Sequence, residues 1–198
     1  KALLDSYLAT ADYPEGHMKM AGFGYAVNNV RGVEQAFKQA IAFDPKLGSA
    51  WMSLGRLYLL TGQPDRAIGI WMQGLETAGD DAGIYLQLAR LRRERSEFPA
   101  ALKAMEKALV LLPDDAIVRT EAAQLYTQAG QPSRGAELMA GALKLGPHNP
   151  HVQAAAIQYA FSLGDIEAAR RQYEIFSIEF PEHSLRAQLL ANWPALIH

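Results

Sequence analysis

Apolar residues recur at steps of three and four along the chain, the spacing that lays one face of an α-helix against a core. Trp51, Leu54 and Tyr58 form one such face, and Ala67, Trp71 and Gly74 the next. Short polar joints interrupt the periodicity. Thr61-Gly62-Gln63-Pro64-Asp65 and Ala129-Gly130-Gln131-Pro132-Ser133 read as turns between consecutive helices. Gly62, Gly130 and Gly164 suit the left-handed conformation that ends a helix. Asp65, Ser133 and Asp165 are candidate N-caps for the helices that follow. The pattern predicts an all-α chain of short helices.

The punctuation is periodic. Pro45, Pro113, Pro147 and Pro181 differ by 68, 34 and 34 residues, and Gly79 fills the empty lattice point. Asp44-Pro45 and Leu112-Pro113-Asp114 mark the joints between repeats. Within the unit 48–81, Trp51-x2-Leu54-Gly55-x2-Tyr58 is followed by Ala67, Trp71 and Gly74. Unit 82–115 carries Tyr85, Leu88, Ala89, Ala101, Met105, Ala108 and Pro113 at matching offsets. Unit 116–149 carries Ala123, Tyr126, Gly135, Met139, Ala142 and Pro147. Unit 150–183 keeps Ala169, Tyr173 and Pro181 but has Phe176 at a small-residue position. An N-terminal unit, 14–47, keeps Ala21, Val33, Phe37, Ala40 and Pro45.

This spacing and period resemble the tetratricopeptide repeat (TPR) family. The resemblance implies a right-handed superhelical solenoid of antiparallel helix pairs, with about five repeats over 14–183. Small residues (Gly55, Ala89, Ala123; Ala67, Ala101, Gly135) fall where helices must approach closely, and large ones (Trp51, Tyr85; Trp71, Met105) fill the gaps between them. Residues 1–13, with Leu3, Leu4, Tyr7 and Leu8 on one face, read as a lead-in helix. Residues 184–198 begin as a capping helix with Leu185, Leu189 and Leu190, limited by Pro194. Trp193 and Ile197 are candidates to pack back on the stack.

Composition changes this picture little. The chain has 198 residues, 49% hydrophobic and 20% charged, with a formal net charge of −2. That balance argues against a nucleic-acid partner, whose binding domain would be strongly basic. No run of about 18 apolar residues is present, so no membrane insertion is expected. The absence of Cys excludes disulfides, Cys-ligated metal and thiol catalysis within these residues. Lys1 opens the chain without Met, which fits either a processed N-terminus or a segment of a larger protein.

Catalytic patterns are missing: no Gly-rich phosphate loop, no Gly-x-Ser-x-Gly, no His-Glu-x-x-His. The chain is therefore expected to be no enzyme and to need no cofactor. His148-Asn149-Pro150-His151 could place two imidazoles near one metal ion. The plainer reading is a joint with Asn149 as cap and Pro150 opening a helix, since two ligands seldom make a metal site. Glu94 and Glu97, like Asp114 and Asp115, suit solvated or capping roles better than acid–base work. Arg90, Arg92, Arg93 and Arg95 form the one basic cluster. They either solvate a helix face beside Glu94 and Glu97 or bind a partner.

The TPR resemblance implies that the first helix of each repeat lines a concave groove. One lining position reads Arg56, Arg90, Gln124 and Gln158, a ladder at 34-residue steps. Three residues on are Leu59, Arg93, Thr127 and Phe161; four residues back are Met52, Leu86, Thr120 and Ala154. Glu94 and Gln128 occupy the next position. Arginine forks pair with carboxylates, often bidentately. The groove is thus expected to take a peptide or protein bearing an acidic side chain or a C-terminal carboxylate near Arg56, Arg90 and Arg93. The Lys-Asn, Asn, Lys-Arg clamp of co-chaperone TPRs is absent, with Met18 and Gly22 at the equivalent positions of the first repeat.

A second resemblance concerns Ala2-Leu3-Leu4, Tyr7-Leu8 and Asp12-Tyr13-Pro14-Glu15-Gly16-His17. This lead-in looks like that of C-terminal TPR segments of bacterial multihaem cytochrome c proteins. It would place the chain in the periplasm, and otherwise the cytoplasm is expected. Two functional classes remain: a groove that recruits a partner, or an assembly module acting through its ends or convex face.

Overall fold

The structure, a computed structural model, describes residues 29–196. Among the described residues it contains ten α-helices, one 3-10 turn and no strand. The helices are α1 (Val30–Phe43), α2 (Gly48–Leu60), α3 (Pro64–Ala78), α4 (Ala82–Glu94) and α5 (Phe98–Leu111). There follow α6 (Ala116–Gln128), α7 (Pro132–Leu145), α8 (Pro150–Ser162), α9 (Ile166–Glu179) and α10 (Ser184–Asn192), then the 3-10 turn Pro194–Leu196. Even-numbered helices start at 34-residue intervals: Gly48, Ala82, Ala116, Pro150, Ser184. Odd-numbered helices keep the same interval from Val30 through Pro64, Phe98 and Pro132 to Ile166. The lead-in expected over 1–13, the first helix of unit 14–47 with Met18 and Gly22, and Ile197 and His198 lie outside the described residues. Two compact units divide the chain at Leu91 and Arg92, within α4.

In the first unit α2 packs against both α1 and α3. Its core joins Val33, Ala36, Phe37 and Ala40 of α1 to Trp51, Leu54, Leu57 and Tyr58 of α2 and Ala67 and Trp71 of α3. Burying a side chain the size of Val33, Phe37 or Leu54 stabilises the fold by about 1.5–3 kcal/mol. The close approach depends on glycine. A β-carbon on Gly55 would sit 2.0 Å from Trp71 Nε1, and one on Gly74 would sit 2.7 Å from Trp51 Cβ.

Four even-numbered helices, α2, α4, α6 and α8, end by one rule. In α2, Gln63 N–H donates to Tyr58 O at 2.8 Å and Gly62 N–H to Leu59 O at 3.0 Å. That pair of bonds is the Schellman motif, which needs a left-handed residue. Glu97 and Ser96 repeat it on Arg92 and Arg93, Gln131 and Gly130 on Tyr126 and Thr127, and Asp165 and Gly164 on Ala160 and Phe161. Gly62, Gly130 and Gly164 take φ of 71°, 79° and 75°, as their sequence positions predict. Ser96 takes φ 60° at the fourth such position, without a glycine's freedom.

Two expected N-caps are corrected. Pro64 and Pro132 occupy the first turn of α3 and α7, so the caps fall on Gln63 and Gln131 and not on Asp65 and Ser133. Proline is pre-organised for the first helical position, which moves the boundary forward. Asp165 does cap α9, accepting from Ala168 N–H at 2.9 Å.

The joints share a further bond. Trp51 Nε1 donates to Pro45 O at 2.8 Å. In the second unit Arg119 Nε donates to Pro113 O at 3.0 Å, and Gln153 Nε2 to Pro147 O at 2.6 Å. Three unlike side chains thus satisfy the carbonyl of a lattice proline six residues earlier.

In the second unit α6 packs on α5 and α7, and α8 on α6, α7 and α9. Its C-terminal cluster gathers Ile157, Tyr173, Phe176, Leu189 and Leu196, with Phe161, Leu185, Leu190 and Trp193 packed around it. Phe176, at a position held by small residues elsewhere, is fully buried beside the rings of Phe180 and His183. α10 stops at Asn192, ahead of Trp193 and Pro194, because the residue before a proline is driven out of helical geometry.

Candidate functional site

The first unit holds the expected lining residues Met52, Arg56, Leu59, Leu86 and Arg90. Arg56, on the third turn of α2, is exposed, and the other four are partly buried. The Arg56 side chain makes no hydrogen bond or ion pair with the described residues. It borders a pocket of about 250 Å³, whose described walls are Phe37, Ser53, Arg56 and Leu60. Leu60 is 76% exposed, an unusual position for a large apolar side chain at a helix end. Met52 turns toward α4, where a β-carbon on Gly83 would come 2.6 Å from its Cε.

In the second unit Arg93, Gln124, Thr127 and Phe161 are partly buried, as is Gln158, and Gln128 is exposed. Thr120 departs from the expectation for a lining residue. It is 4% exposed, and its hydroxyl donates to Ile117 O of its own helix at 2.7 Å. The small β-branched side chain serves the helix-to-helix contact instead of facing solvent. Thr127 donates its hydroxyl to Tyr159 at 3.1 Å. Phe161 stacks on Trp193 with ring centroids 5.3 Å apart and planes 14° from parallel, so one face of its ring is covered.

Sequence reading missed two tyrosine-centred polar clusters. Tyr58 donates its hydroxyl to Glu34 Oε1 at 2.9 Å. Arg66 Nη2 reaches the same carboxylate at 3.0 Å and the hydroxyl at 2.8 Å, with its guanidinium 4.0 Å from the Tyr58 ring centroid. Lys38 completes the cluster at 2.9 Å from Glu34. The hydrogen bond from Lys38 holds the Glu34 carboxyl below its ordinary value; burial opposes this, and Tyr58 and Arg66 assist. In the second unit Tyr126 donates to Glu106 at 3.0 Å, and burial first, then that bond, raises the phenol. A signal was present, since Tyr58 with Arg66 and Tyr126 with Arg134 each stand eight residues apart. Tyr85 is pushed up to about 12, chiefly by its hydrogen bond to Asp80.

Most of the remaining chemical candidates have structural partners. Asn149 accepts from His151 N–H at 2.9 Å and Val152 N–H at 3.4 Å, capping α8 with Pro150 in its first turn. His148 Nδ1 pairs with Glu179, whose other oxygen accepts from the buried Gln153 amide at 2.5 Å. The His148 bond, then the Gln153 bond, lowers the Glu179 carboxyl below its usual range. His151 meets His183 edge-on at 6.0 Å. Among the described residues no group of three His, Asp or Glu side chains is placed to hold a metal ion. Asp115 caps α6 through Ile117 and Val118. Arg92 donates to Ala100 O at 3.4 Å, and Arg95 stands 4.0 Å from Glu97. No helix among the described residues is long and apolar enough to cross a membrane.

Helix pairs at a constant 34-residue interval, with small residues at the crossings and Schellman ends, define a helical-repeat protein of the tetratricopeptide class. Two tetratricopeptide-repeat family models match residues 48–91 and 86–150, together more than half of the chain. The chain belongs to the tetratricopeptide-repeat family, whose members are protein-interaction scaffolds. It is 28% identical over 164 residues to cellulose synthase operon protein C of Xanthomonas axonopodis pv. citri (strain 306). That match covers 79% of this chain and 11% of the relative, so the chain spans about a tenth of the relative's length. Its fold resembles that of PilW, a type IV pilus biogenesis factor. The TM-score is 0.75 at 15% identity, covering 94% of this chain and 86% of that one. YrrB, described as a TPR protein with an unusual peptide-binding site, gives 0.66 at 14% identity, covering 95% and 97%.

Proposed function

We propose that this chain is a non-catalytic scaffold of five repeats over 14–183, closed by a C-terminal cap over 184–198, that binds a peptide or protein through its first-helix faces. The observation that carries this reading is Arg56. The Arg56 side chain makes no hydrogen bond or ion pair with the described residues and stands near exposed Leu60, at a position that the repeat register assigns to the lining face. A partner carboxylate supplies the counter-charge it lacks, and the flanking apolar surface adds desolvated area. Arg90 and Arg93 extend the basic character of the lining positions. Likeness in fold to a TPR protein with a peptide-binding site supports the same reading. The match to a cellulose synthase operon protein supports seeking the partner among products of that kind of operon.

Its test is an Arg56→Ala/Arg90→Ala double variant with helical circular dichroism retained. Partner capture is expected to fall by about tenfold or more, as for loss of charge-assisted hydrogen bonds. Unchanged capture overturns the reading. A second reading, assembly through the second helices of the repeats, is favoured by Val110 and Ile178, which are 77% and 83% exposed on α5 and α9. Under it, Val110→Ser and Ile178→Ser abolish assembly while the arginine variant leaves it intact.

A further inference from the structure

One position of the repeat register serves as the helix N-cap. Leu47, Asp81, Asp115, Asn149 and His183 stand at 34-residue intervals, each directly ahead of an even-numbered helix. Leu47 offers its helix no side-chain acceptor. Asp81 accepts from Ile84 N–H at 2.9 Å, and Asp115 from Ile117 and Val118 N–H at 2.8 and 3.0 Å. Asn149 caps α8 in the same way. At the last position His183 Nδ1 accepts from Leu185 N–H at 3.2 Å. Carboxylates and amides accept throughout the neutral and mildly acidic range. An imidazole nitrogen accepts only while it carries no proton, and imidazole ordinarily changes charge between about pH 5 and 8.

We propose that His183 is an acid-sensitive latch for the C-terminal cap: protonation of its ring releases α10 and the 3-10 turn after it from α8 and α9. The sign follows from the acceptor. The capped state holds Nδ1 without a proton, so the open state binds protons more readily and the cap weakens as pH falls. Protonation also sets a cation at the positive end of the α10 dipole. From α8, His151 meets the ring edge-on at 6.0 Å, and two charged imidazoles there repel. Phe176 of α9 and Phe180 at its end meet the ring at 6.3 and 6.2 Å and bring no counter-charge. The last carboxylate of α9, Glu179, is taken up by His148 and Gln153. In the joint and the first turn of α10, Glu182 is exposed and Arg186 Nη1 donates to Pro181 O at 3.1 Å. A proton on His148 strengthens its pair with Glu179, so that group opposes the release.

The element that the latch holds is small. α10 has nine residues, of which Leu189 is buried, and the 3-10 turn adds Leu196. These two side chains close the cluster of Ile157, Tyr173 and Phe176, which opening uncovers. So short a helix is marginal by itself, and one cap decides a large share of its stability.

Hydrogen exchange of the full chain, followed by NMR at about pH 7.5 and about pH 5.5, spans the imidazole range. Corrected for intrinsic exchange, protection at Leu189, Leu190 and Trp193 should fall about tenfold at the lower pH, from the lost cap and the dipole repulsion together. Amides of α6, capped by Asp115, should keep their protection. His183→Asn, which repeats the Asn149 cap, should hold α10 protected at both pH values, and so should His183→Asp. His151→Gln should leave most of the fall in place. No fall in the native chain overturns the latch, as does a fall that survives in both His183 variants. A fall abolished by His151→Gln, or one of equal size in α6, places the titration elsewhere and also overturns it.

Discussion

The indole of Trp71 occupies the space that a side chain on Gly55 would need, with Nε1 2.0 Å from an ideal β-carbon. The same indole donates to Met52 O at 3.1 Å, so the ring is fixed by a hydrogen bond as well as by packing. It is fully buried. A glycine inside a helix ordinarily weakens it by ~1 kcal/mol relative to alanine. Here the missing methyl is what lets α2 and α3 touch.

Gly55→Ala should therefore destabilise the fold. Overpacking of about 1–3 kcal/mol against a rigid indole exceeds the helix-propensity gain of ~1 kcal/mol. Gly69→Ala in α3 is the control, because no atom lies within 4 Å of its β-carbon. It should gain about 0.5–1 kcal/mol. Chemical denaturation of the two variants should give shifts of opposite sign.

Ser96→Gly should stabilise the protein by about 1 kcal/mol. A left-handed conformation costs a non-glycine residue roughly 1–2 kcal/mol, offset in part by the greater backbone entropy glycine loses on folding. Gly130→Ala at the equivalent turn should lose stability by a similar amount. Thermal melts of both variants compare the two turns directly.

Asp165→Ala should cost about 0.5–2 kcal/mol, since its carboxylate caps α9. Ser133→Ala should stay within about 0.5 kcal/mol, because Ser133 lies inside the first turn of α7 and makes no capping bond. Reversed sensitivities would mean that the helix boundaries set by Pro132 and Asp165 are misplaced.

Stability should decline in mild acid through Glu34. Its carboxyl is held below its ordinary value in the folded state, first by the Lys38 hydrogen bond. Such a group contributes its full stability above the ordinary carboxyl value of 4.5 and loses it as pH falls through the folded value. Glu179, lowered by His148 and Gln153, acts in the same window. Glu34→Gln should flatten the fall in melting temperature from about pH 5 downward, relative to the native chain. An unchanged slope would exclude Glu34 as a contributor. Tyr58→Phe should cost about 1 kcal/mol at neutral pH by removing the hydroxyl bond to the same carboxylate.

The interval, the glycine turns at 62, 130 and 164 and the small residues at helix crossings were all legible in the chain. Each depends on local geometry: 3.6-residue periodicity, left-handed backbone, or loss of a side chain at one contact. Ser96 escaped notice because composition marks a left-handed turn only when glycine or asparagine fills it. Asp65 and Ser133 misled because a polar residue after proline looks like a cap. The proline ring had already set the cap two residues earlier, at Gln63 and Gln131. Thr120 satisfied the repeat register of a lining residue, yet helix rotation and neighbour packing buried it.

The sequence by itself determined the all-helical repeat, its 34-residue period and the family, because those follow from the order of apolar, small and helix-breaking residues along one dimension. Only the tertiary structure decided that Trp51, Arg119 and Gln153 do one job at the proline carbonyls. It also decided that Glu34, Tyr58, Arg66 and Lys38 share one cluster, and that Arg56 borders a small pocket with Phe37, Ser53 and Leu60. Those outcomes depend on distances between side chains far apart in sequence, which packing sets and periodicity does not encode.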